Sequence, residues 1–334
     1  MHCRLLVPHF LSFVASSKSL REILPEGLST LLKYGIISKT PGNSFENWLC
    51  TAFGVESQQD CPVAPFSLLG DGGTPGDHYW LRADPVTIQL MRNRLVLLAA
   101  PVDAPSPAEA AELVEALNRH FSSDGLQFSA PHPGRWYLRI SPPPRLRTHS
   151  LAQANGRNIQ HFLPSGEDSP YWRRLLNEIQ ILLHAHPLNV AREAAGKPTL
   201  NSIWPWGGGM LTGKLSSPYS QIIADDPLAR GLAIAASRPW TPLPACFPSG
   251  AWQFADTSLF VLEAMHHTPQ QCLEQWDGDW FKPALAALRQ GKIKRLDAVF
   301  PDQSTTLVVT LTRLDLWKFW RGATRLELNE QNKA

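Results

Sequence analysis

The chain contains 334 residues, of which 43% are hydrophobic and 18% are charged, and its formal net charge is +2. This length and composition allow a sizeable core in one large α/β domain or two ordinary ones, and they exclude a disordered chain. Lysine and arginine are scattered and no apolar run is long enough to span a bilayer, so we expect neither a nucleic-acid nor a membrane partner. Five widely spaced cysteines without a C-x-x-C pair favour reduced thiols and a cytoplasmic location.

The first predicted element is a short buried strand at 4–7. The apolar stretch around it also has some features of a signal peptide, but Pro8-His9 interrupts it and no small-x-small cleavage site follows. The strand is therefore the preferred interpretation. Periodicity and composition then predict helices over 20–34 and 45–53, a Gly-rich loop over 70–77, and strands at 79–83 and 95–98.

A capped helix and a hairpin follow. Ser106 can act as the N-cap, Pro107 suits the first helical position, and Glu109 completes a capping box. Short β-type segments at 126–129 and 136–140 flank a turn and predict a hairpin.

Three consecutive prolines at 142–144 mark a connection, because proline disrupts a helix interior. We therefore expect a smaller α+β part over 1–145 and an α/β part over 146–334, which can also form one compact domain. Alternating strand and helix patterns in the second part favour an α/β fold with a layered mixed sheet. These patterns are a helix from Ser169-Pro170, a strand at 258–262, a helix at 279–289, and strands at 295–300 and 305–311.

The most distinctive segment runs from His184 to Gly209. It predicts a helix end, a second short helix, a short strand and a glycine loop at 207–209, where the backbone can approach a ligand closely. Beside Arg192, such a loop can hold a phosphate or another anion. The same residues also fit a tight turn and an ordinary surface ion pair, and residue chemistry alone favours that second interpretation.

This segment resembles two linked motifs of the archaeal-type cofactor-independent phosphoglycerate mutases, which belong to the alkaline phosphatase superfamily. The motif H-P-x-N-x-x-R-x-x-x-G is matched by His186, Pro187, Asn189, Arg192 and Gly196. The motif A-N-x-x-W-x-W-G-x-G is matched by Asn201, Trp204, Trp206, Gly207 and Gly209, with Leu200 at its first position. The resemblance implies a reduced alkaline-phosphatase-like core in the second part. Over its whole length the chain also resembles bacterial RpfE-type regulatory proteins, which implies a regulatory link without naming a reaction.

The chain departs from the mutase pattern at the metal ligands. The family has an Asp-Gly-x-Gly-Asp turn directly after the first strand, whereas this chain has Pro8-His9-Phe10 there. The turn at 71–77 has a different spacing, and the late Asp-His pair is replaced by residues 311–315, which contain no histidine. Two-metal phosphoryl transfer needs those ligands. We therefore expect no metal or other cofactor.

Other residues can be considered as relocated ligands. Glu263, His266 and His267 lie at the end of a predicted strand, where ligands bind in open α/β sheets. They are candidates for manganese or zinc under an alternative in which the chain is a metal-dependent phosphate-ester enzyme. Arg82 and Asp84 are the polar residues of interest in the first half, although a structural ion pair also explains them.

The leading prediction is a non-catalytic or regulatory protein on a degenerate phosphoglycerate-mutase-like scaffold, which binds a small phosphorylated or other anionic metabolite. The alternative is a phosphoglycerate mutase or phosphatase with relocated metal ligands. The sequence names neither a catalytic residue nor a protein partner. The candidate ligand-binding residues are His186, Asn189, Arg192, Asn201, Trp206, Gly207, Gly208, Gly209, Arg82 and Asp84.

Overall fold

The computed structural model describes residues 1–16, 24–99, 104–213, 215–248, 255–263 and 268–318. The strands are β1 (His2–Leu6), β2 (Ile36–Pro41), β3 (Tyr79–Met91), β4 (Arg94–Ala99), β5 (Gln127–His132), β6 (Arg135–Ile140), β7 (Ser202–Gly209), β8 (Gln221–Ile223), β9 (Trp240–Thr241), β10 (Thr257–Val261), β11 (Arg295–Phe300) and β12 (Thr305–Thr312). The α-helices are α1 (Phe10–Ser16), α2 (Glu26–Tyr34), α3 (Phe45–Ala52), α4 (Val63–Gly70), α5 (Pro107–His120), α6 (Leu151–Ala154), α7 (Ser169–His184), α8 (Pro187–Ala194), α9 (Pro227–Ala235), α10 (Pro269–Trp276) and α11 (Lys282–Arg289).

The chain forms two compact units, one comprising residues 1–54 and 215–334 and the other residues 55–214. We call them unit 1 and unit 2. This division differs from the expected boundary at 145/146. The reason is long-range pairing, because β1 lies between β10 and β11 and so joins the beginning of the chain to its second half.

Unit 1 contains a seven-stranded mixed sheet in the order β2-β12-β11-β1-β10-β8-β9. Strands β11, β1, β10, β8 and β9 are parallel, β12 is antiparallel to β11, and β2 is antiparallel to β12 at the edge of the sheet. This sheet confirms the expected α/β class with a layered mixed sheet, and it confirms the predicted first strand. Because the five parallel strands point the same way, their carboxyl ends lie at one edge of the sheet.

Aromatic and aliphatic side chains fill the core on one face of this sheet. Phe10 and Phe300 are fully buried, with ring centroids 4.2 Å apart. Phe281, from the π-helical turn Asp277–Phe281, also packs on Phe300, with ring centroids 6.3 Å apart. Burying one such side chain stabilises the fold by about 1.5–3 kcal/mol.

Unit 2 contains an antiparallel five-stranded sheet in the order β4-β3-β6-β5, with β7 paired to β3 as well. The predicted hairpin is confirmed as β5 and β6. The capping box of α5 is confirmed too, since Ser106 and Glu109 exchange both hydrogen bonds.

The long strand β3 gives the unit 2 sheet two different faces. Side chains alternate along a strand, so Tyr79, Leu81 and Ala83 join the core formed with α5 and α7. Arg82 and Asp84 alternate with them and therefore point to the opposite face.

In the described part of the chain, no helix combines the length and apolarity that crossing a membrane requires.

Candidate functional site

Arg82 and Asp84 form a buried ion pair on the polar face of β3. The Nε and Nη2 of Arg82 donate hydrogen bonds to Oδ1 of Asp84 at 3.1 and 2.7 Å. The indole Nε1 of Trp206 donates to the other carboxylate oxygen at 2.8 Å. Arg82 is 7% exposed and Asp84 is 1% exposed. Charged groups this buried are tolerated when they are paired and hydrogen-bonded, as they are here.

Two aromatic rings flank the guanidinium of Arg82. Its central carbon lies 5.3 Å from the ring centroid of Tyr137 and 5.2 Å from that of Trp206. Both distances are in the range of cation–π attraction. Burial alone would lower the pKa of Arg82, but the charges of Asp84, Tyr137 and Asp71 and the hydrogen bond to Asp84 together outweigh burial and raise it. The Arg82 guanidinium therefore stays protonated beside its paired carboxylate.

A second ion pair lies close to the first. Arg135 donates from Nε and Nη2 to the carboxylate of Asp71 at 2.9 and 2.8 Å, and the hydroxyl of Tyr137 donates to the same carboxylate at 2.7 Å. Burial would raise the pKa of Asp71, but these hydrogen bonds lower it below its usual range. Tyr137 contacts both pairs, because its ring packs on Arg82 while its hydroxyl binds Asp71.

His132, the last residue of β5, belongs to the same electrostatic environment. Desolvation lowers the pKa of His132, and the positive charges of Arg135 and Arg82 lower it further. The carboxylates of Asp71 and Asp84 raise this pKa, but only enough to offset part of the decrease. The ring is therefore neutral at pH 7. Its Nδ1 accepts a hydrogen bond from the backbone of Gly134 at 3.2 Å, which leaves Nε2 as the protonated nitrogen.

We call Arg82, Asp84, Tyr137, Trp206, Asp71, Arg135 and His132 the Arg82 cluster. Within the described residues, Nη1 of Arg82 and Nη1 of Arg135 make no hydrogen bond, and Nε2 of His132 makes none either. The cluster thus has more N–H donors than acceptors. Such an excess suits an anion, which supplies acceptor oxygens and negative charge together.

A buried hydroxyl lies on the helix that covers this face. Ala64 and Leu68 of α4 pack against Trp80 and Tyr137. Ser67 is on the same helical face, fully buried, and its Oγ has no hydrogen-bond partner among the described residues. An unpaired buried hydroxyl is uncommon in folded proteins.

The motif residues at 186–189 have structural contacts. His186 is the N-cap of α8, and its Nδ1 accepts from the backbone of Leu188 at 3.2 Å. Asn189 donates to the carbonyls of Leu183 and Leu200 at 2.7 and 3.1 Å and accepts from the amide of Leu200 at 2.8 Å. The Asn189 side chain therefore holds α7, α8 and the start of β7 together.

Asn201 and Arg192 also connect elements of unit 2. Asn201 exchanges two hydrogen bonds with the backbone of Ile88, at 2.8 and 2.9 Å. Arg192 is 3% exposed and donates to the carbonyl of Pro198 and to Glu109, both at 2.9 Å. A ligand-binding role for these motif residues stays a prediction, while their observed contacts stabilise the unit.

The three glycines at 207–209 differ from the expected loop, because they are the last residues of β7 and are buried. A Cβ on Gly208 would lie 2.3 Å from the hydroxyl of Tyr79, and one on Gly209 would lie 2.4 Å from Cβ of Pro62. Gly207 has a φ of +63° and its Cβ would lie 2.8 Å from Cβ of Val63. Close approach of neighbouring residues thus explains these glycines.

The alternative metal ligands belong to unit 1. Glu263 is exposed just beyond β10, at the carboxyl edge of the sheet, whereas His266 and His267 lie outside the described residues. At the end of β1 the structure has His9, with a φ of +61°. Among the described residues, no three histidine, cysteine, aspartate or glutamate side chains gather where they could hold a metal ion. The described residues therefore do not fit the two-metal centre that the mutase resemblance implies.

No protein-family model matches the chain. Among curated proteins, it is similar to a probable 2,3-bisphosphoglycerate-independent phosphoglycerate mutase from Geobacter sulfurreducens, with 28% identity over 173 residues, 46% of this chain and 40% of that protein. The corresponding mutase from Methanosarcina mazei is 28% identical over 149 residues, 39% of this chain and 35% of that protein. The matches thus span well under two thirds of the relatives' lengths.

The fold is similar to that of a solved structure. The PH0037 protein from Pyrococcus horikoshii superimposes with a TM-score of 0.50 at 11% identity, over 93% of this chain and 87% of that one. This similarity concerns the α/β fold alone. The sequence similarity to phosphoglycerate mutases confirms the resemblance to that family at low identity, and the RpfE-type resemblance stays a prediction.

Proposed function

We propose that this protein binds a small phosphorylated or other anionic metabolite at the Arg82 cluster of unit 2, and that it is a regulatory protein rather than a mutase. The observation that supports this most is the excess of N–H donors at Arg82, Arg135 and His132. Arg82 is buried and Arg135 is half-buried, so their donors gain more from an anion than they would in bulk water, whereas His132 is exposed.

The cluster is preorganised for binding. Asp84 accepts from the Nε side of Arg82 and is itself held by the Trp206 indole, and Asp71 accepts from the corresponding side of Arg135. Both guanidinium groups are therefore fixed before a ligand arrives, which lowers the entropy lost on binding. The Asp84 and Asp71 carboxylates reduce the local positive charge, so the ligand is held by directed hydrogen bonds as much as by charge.

A phosphorylated ligand is favoured by the relatives. The curated proteins to which the chain is similar are named phosphoglycerate mutases. A regulatory role is supported by the departure at β1, where Pro8-His9-Phe10 replaces the carboxylate turn of the mutase pattern. The alternative, a metal-dependent phosphate-ester enzyme, is favoured only by the position of Glu263 at the carboxyl edge of the unit 1 sheet.

A thermal-shift screen with phosphate and 3-phosphoglycerate, each with and without manganese or zinc, separates these functions. A ligand that binds only the folded state raises the free energy of unfolding by about 2.7 kcal/mol at a hundredfold its dissociation constant. We expect stabilisation by the anion without metal, and no conversion of 3-phosphoglycerate. Stabilisation that needs the metal, together with turnover, would establish the enzyme instead.

A further inference from the structure

Arg230, in unit 1, has no described residue as a partner for its charge. Arg230 lies in α9, and its guanidinium makes no hydrogen bond or ion pair with any described residue. Its Nε is shielded from solvent and has no hydrogen-bond partner. A shielded guanidinium nitrogen without an acceptor is unfavourable, because desolvation is not compensated.

An indole ring holds this guanidinium in place. The central carbon of Arg230 lies 4.6 Å from the ring centroid of Trp240, a short cation–π distance. The ring is fixed in turn, because Nε1 of Trp240 donates to the carbonyl of Ala224 at 2.7 Å. One face of the guanidinium is thus covered, while its edge keeps the N–H donors with which arginine binds oxyanions.

The position in the sheet suits a ligand. The Trp240 indole reaches the carboxyl end of β8, because Ala224, whose carbonyl accepts its hydrogen bond, directly follows that strand, and α9 begins just beyond the same end. In open α/β sheets, ligands bind beyond the carboxyl ends of the parallel strands. Thr241, also in β9, has a buried hydroxyl that lacks a partner within the described residues.

The two nearby carboxylates are engaged elsewhere. Asp226 is the N-cap of α9 and accepts from the amide of Ala229 at 2.8 Å. Asp225 accepts from the amide of Leu243 at 3.3 Å. Neither of them is in ion-pair contact with Arg230 in the described structure.

We propose that Arg230, stacked on Trp240, is a second anion-binding position, which takes the oxyanion group of a small ligand. A phosphate or a carboxylate group supplies the acceptor oxygens that the guanidinium edge lacks. Arg230 and Trp240 belong to unit 1, whereas the Arg82 cluster belongs to unit 2.

The test uses 19F NMR of the full chain labelled with 5-fluorotryptophan, with the Trp240 signal assigned through Trp240→Phe. Inorganic phosphate and acetate are titrated separately, each against sodium chloride at equal ionic strength. We expect a saturable shift of the Trp240 signal with at least one of the two oxyanions, and the stronger response identifies the preferred group. Arg230→Gln is expected to weaken this response at least about tenfold, while Arg289→Gln, at an exposed position of α11 in the same unit, leaves it unchanged.

Several results would overturn the proposal. The proposal fails if chloride reproduces the whole shift, or if the native chain shows no saturable shift. It also fails if the response of Arg230→Gln is unchanged. If Arg230→Gln fails to fold, the native titration still tests the proposal, because the absence of a saturable oxyanion shift in the native chain overturns it.

Discussion

The indole of Trp206 donates a hydrogen bond to the carboxylate of Asp84 at 2.8 Å, and this contact joins β7 to β3 on the polar face of unit 2. Trp206 lies within the segment that resembles the mutase motifs, whereas Asp84 is about 120 residues earlier in the chain. Their hydrogen bond ties the motif to the Arg82 cluster. The motif therefore contributes to this cluster through its tryptophan, while its arginine and asparagines stabilise the surrounding helices and strands.

Replacing Trp206 with phenylalanine is expected to lower the free energy of unfolding by about 1–3 kcal/mol, because a buried carboxylate oxygen of Asp84 loses its donor. Urea denaturation measures the change. Trp317→Phe is the matched control, since Trp317 is 71% exposed. Equal stability of the two variants would contradict the importance of the hydrogen bond.

Replacing Gly208 with alanine is expected to destabilise the protein by about 1–3 kcal/mol, because the new methyl group would overlap the Tyr79 hydroxyl. Gly278→Ala is the control, since a Cβ there has no neighbouring atom within 4 Å. The comparison by thermal or urea unfolding distinguishes packing from a ligand-binding role. A Gly208→Ala protein of native stability would argue against the packing explanation.

Arg192→Ala tests whether Arg192 is structural or binds the ligand. The substitution removes the donor to the carbonyl of Pro198 and one of the two donors to the Glu109 carboxylate, so we expect the free energy of unfolding to fall by about 2–4 kcal/mol. The additional stabilisation by phosphate is expected to persist. Glu109→Gln provides a milder control, because it retains an acceptor oxygen. Loss of the phosphate response in Arg192→Ala alone would move the anion site to the motif.

The buried Asp297 of unit 1 gives a prediction about pH. Burial would raise its pKa, but hydrogen bonds from His2, Arg295 and Arg4 lower it well below the ordinary aspartate range. At a pH between the folded and the unfolded pKa of Asp297, the unfolded chain binds more protons than the folded chain. The stabilisation of the fold by ionised Asp297 is therefore complete above about pH 4 and is lost as pH falls below it.

Urea unfolding at a series of acidic pH values measures this dependence. Asp297→Asn is expected to be less stable at pH 7 by about 3–5 kcal/mol, because the surrounding cations lose a buried counter-charge. Its stability is also expected to decline less steeply in acid. Parallel pH profiles for the two proteins would show that Asp297 does not control the acid response.

The sequence predicted most elements of the fold because their signals are local. The capping box at Ser106 and Glu109 and the hairpin of β5 and β6 depend on residues close in the chain. The grouping of the chain into units could not be predicted in the same way, since it depends on the pairing of β1 with β10 and β11. The predicted helix over 20–34 is observed as Glu26–Tyr34, and residues 20–23 lie outside the described part.

The candidate site was only partly predictable. Arg82, Asp84 and Trp206 were candidates from sequence, and the structure brings them together. Arg135 and His132 were missed, because nothing in the hairpin sequence indicates that it lies beside β3. The sequence around Asp71 suggests comparison with a metal-binding turn only, whereas its observed partner is Arg135. An arginine pair of this kind is recognisable only after the strand order is known.

Calorimetric titration of 3-phosphoglycerate into the native chain, Arg82→Gln and Arg94→Gln tests the central claim most directly. Arg94 is exposed in β4 and gives the same loss of charge in the same unit without touching the Arg82 cluster. We predict saturable binding to the native chain and to Arg94→Gln, and binding to Arg82→Gln that is weaker by roughly tenfold to a hundredfold. Equal affinity for all three proteins, or an absence of binding to the native chain, would contradict the account.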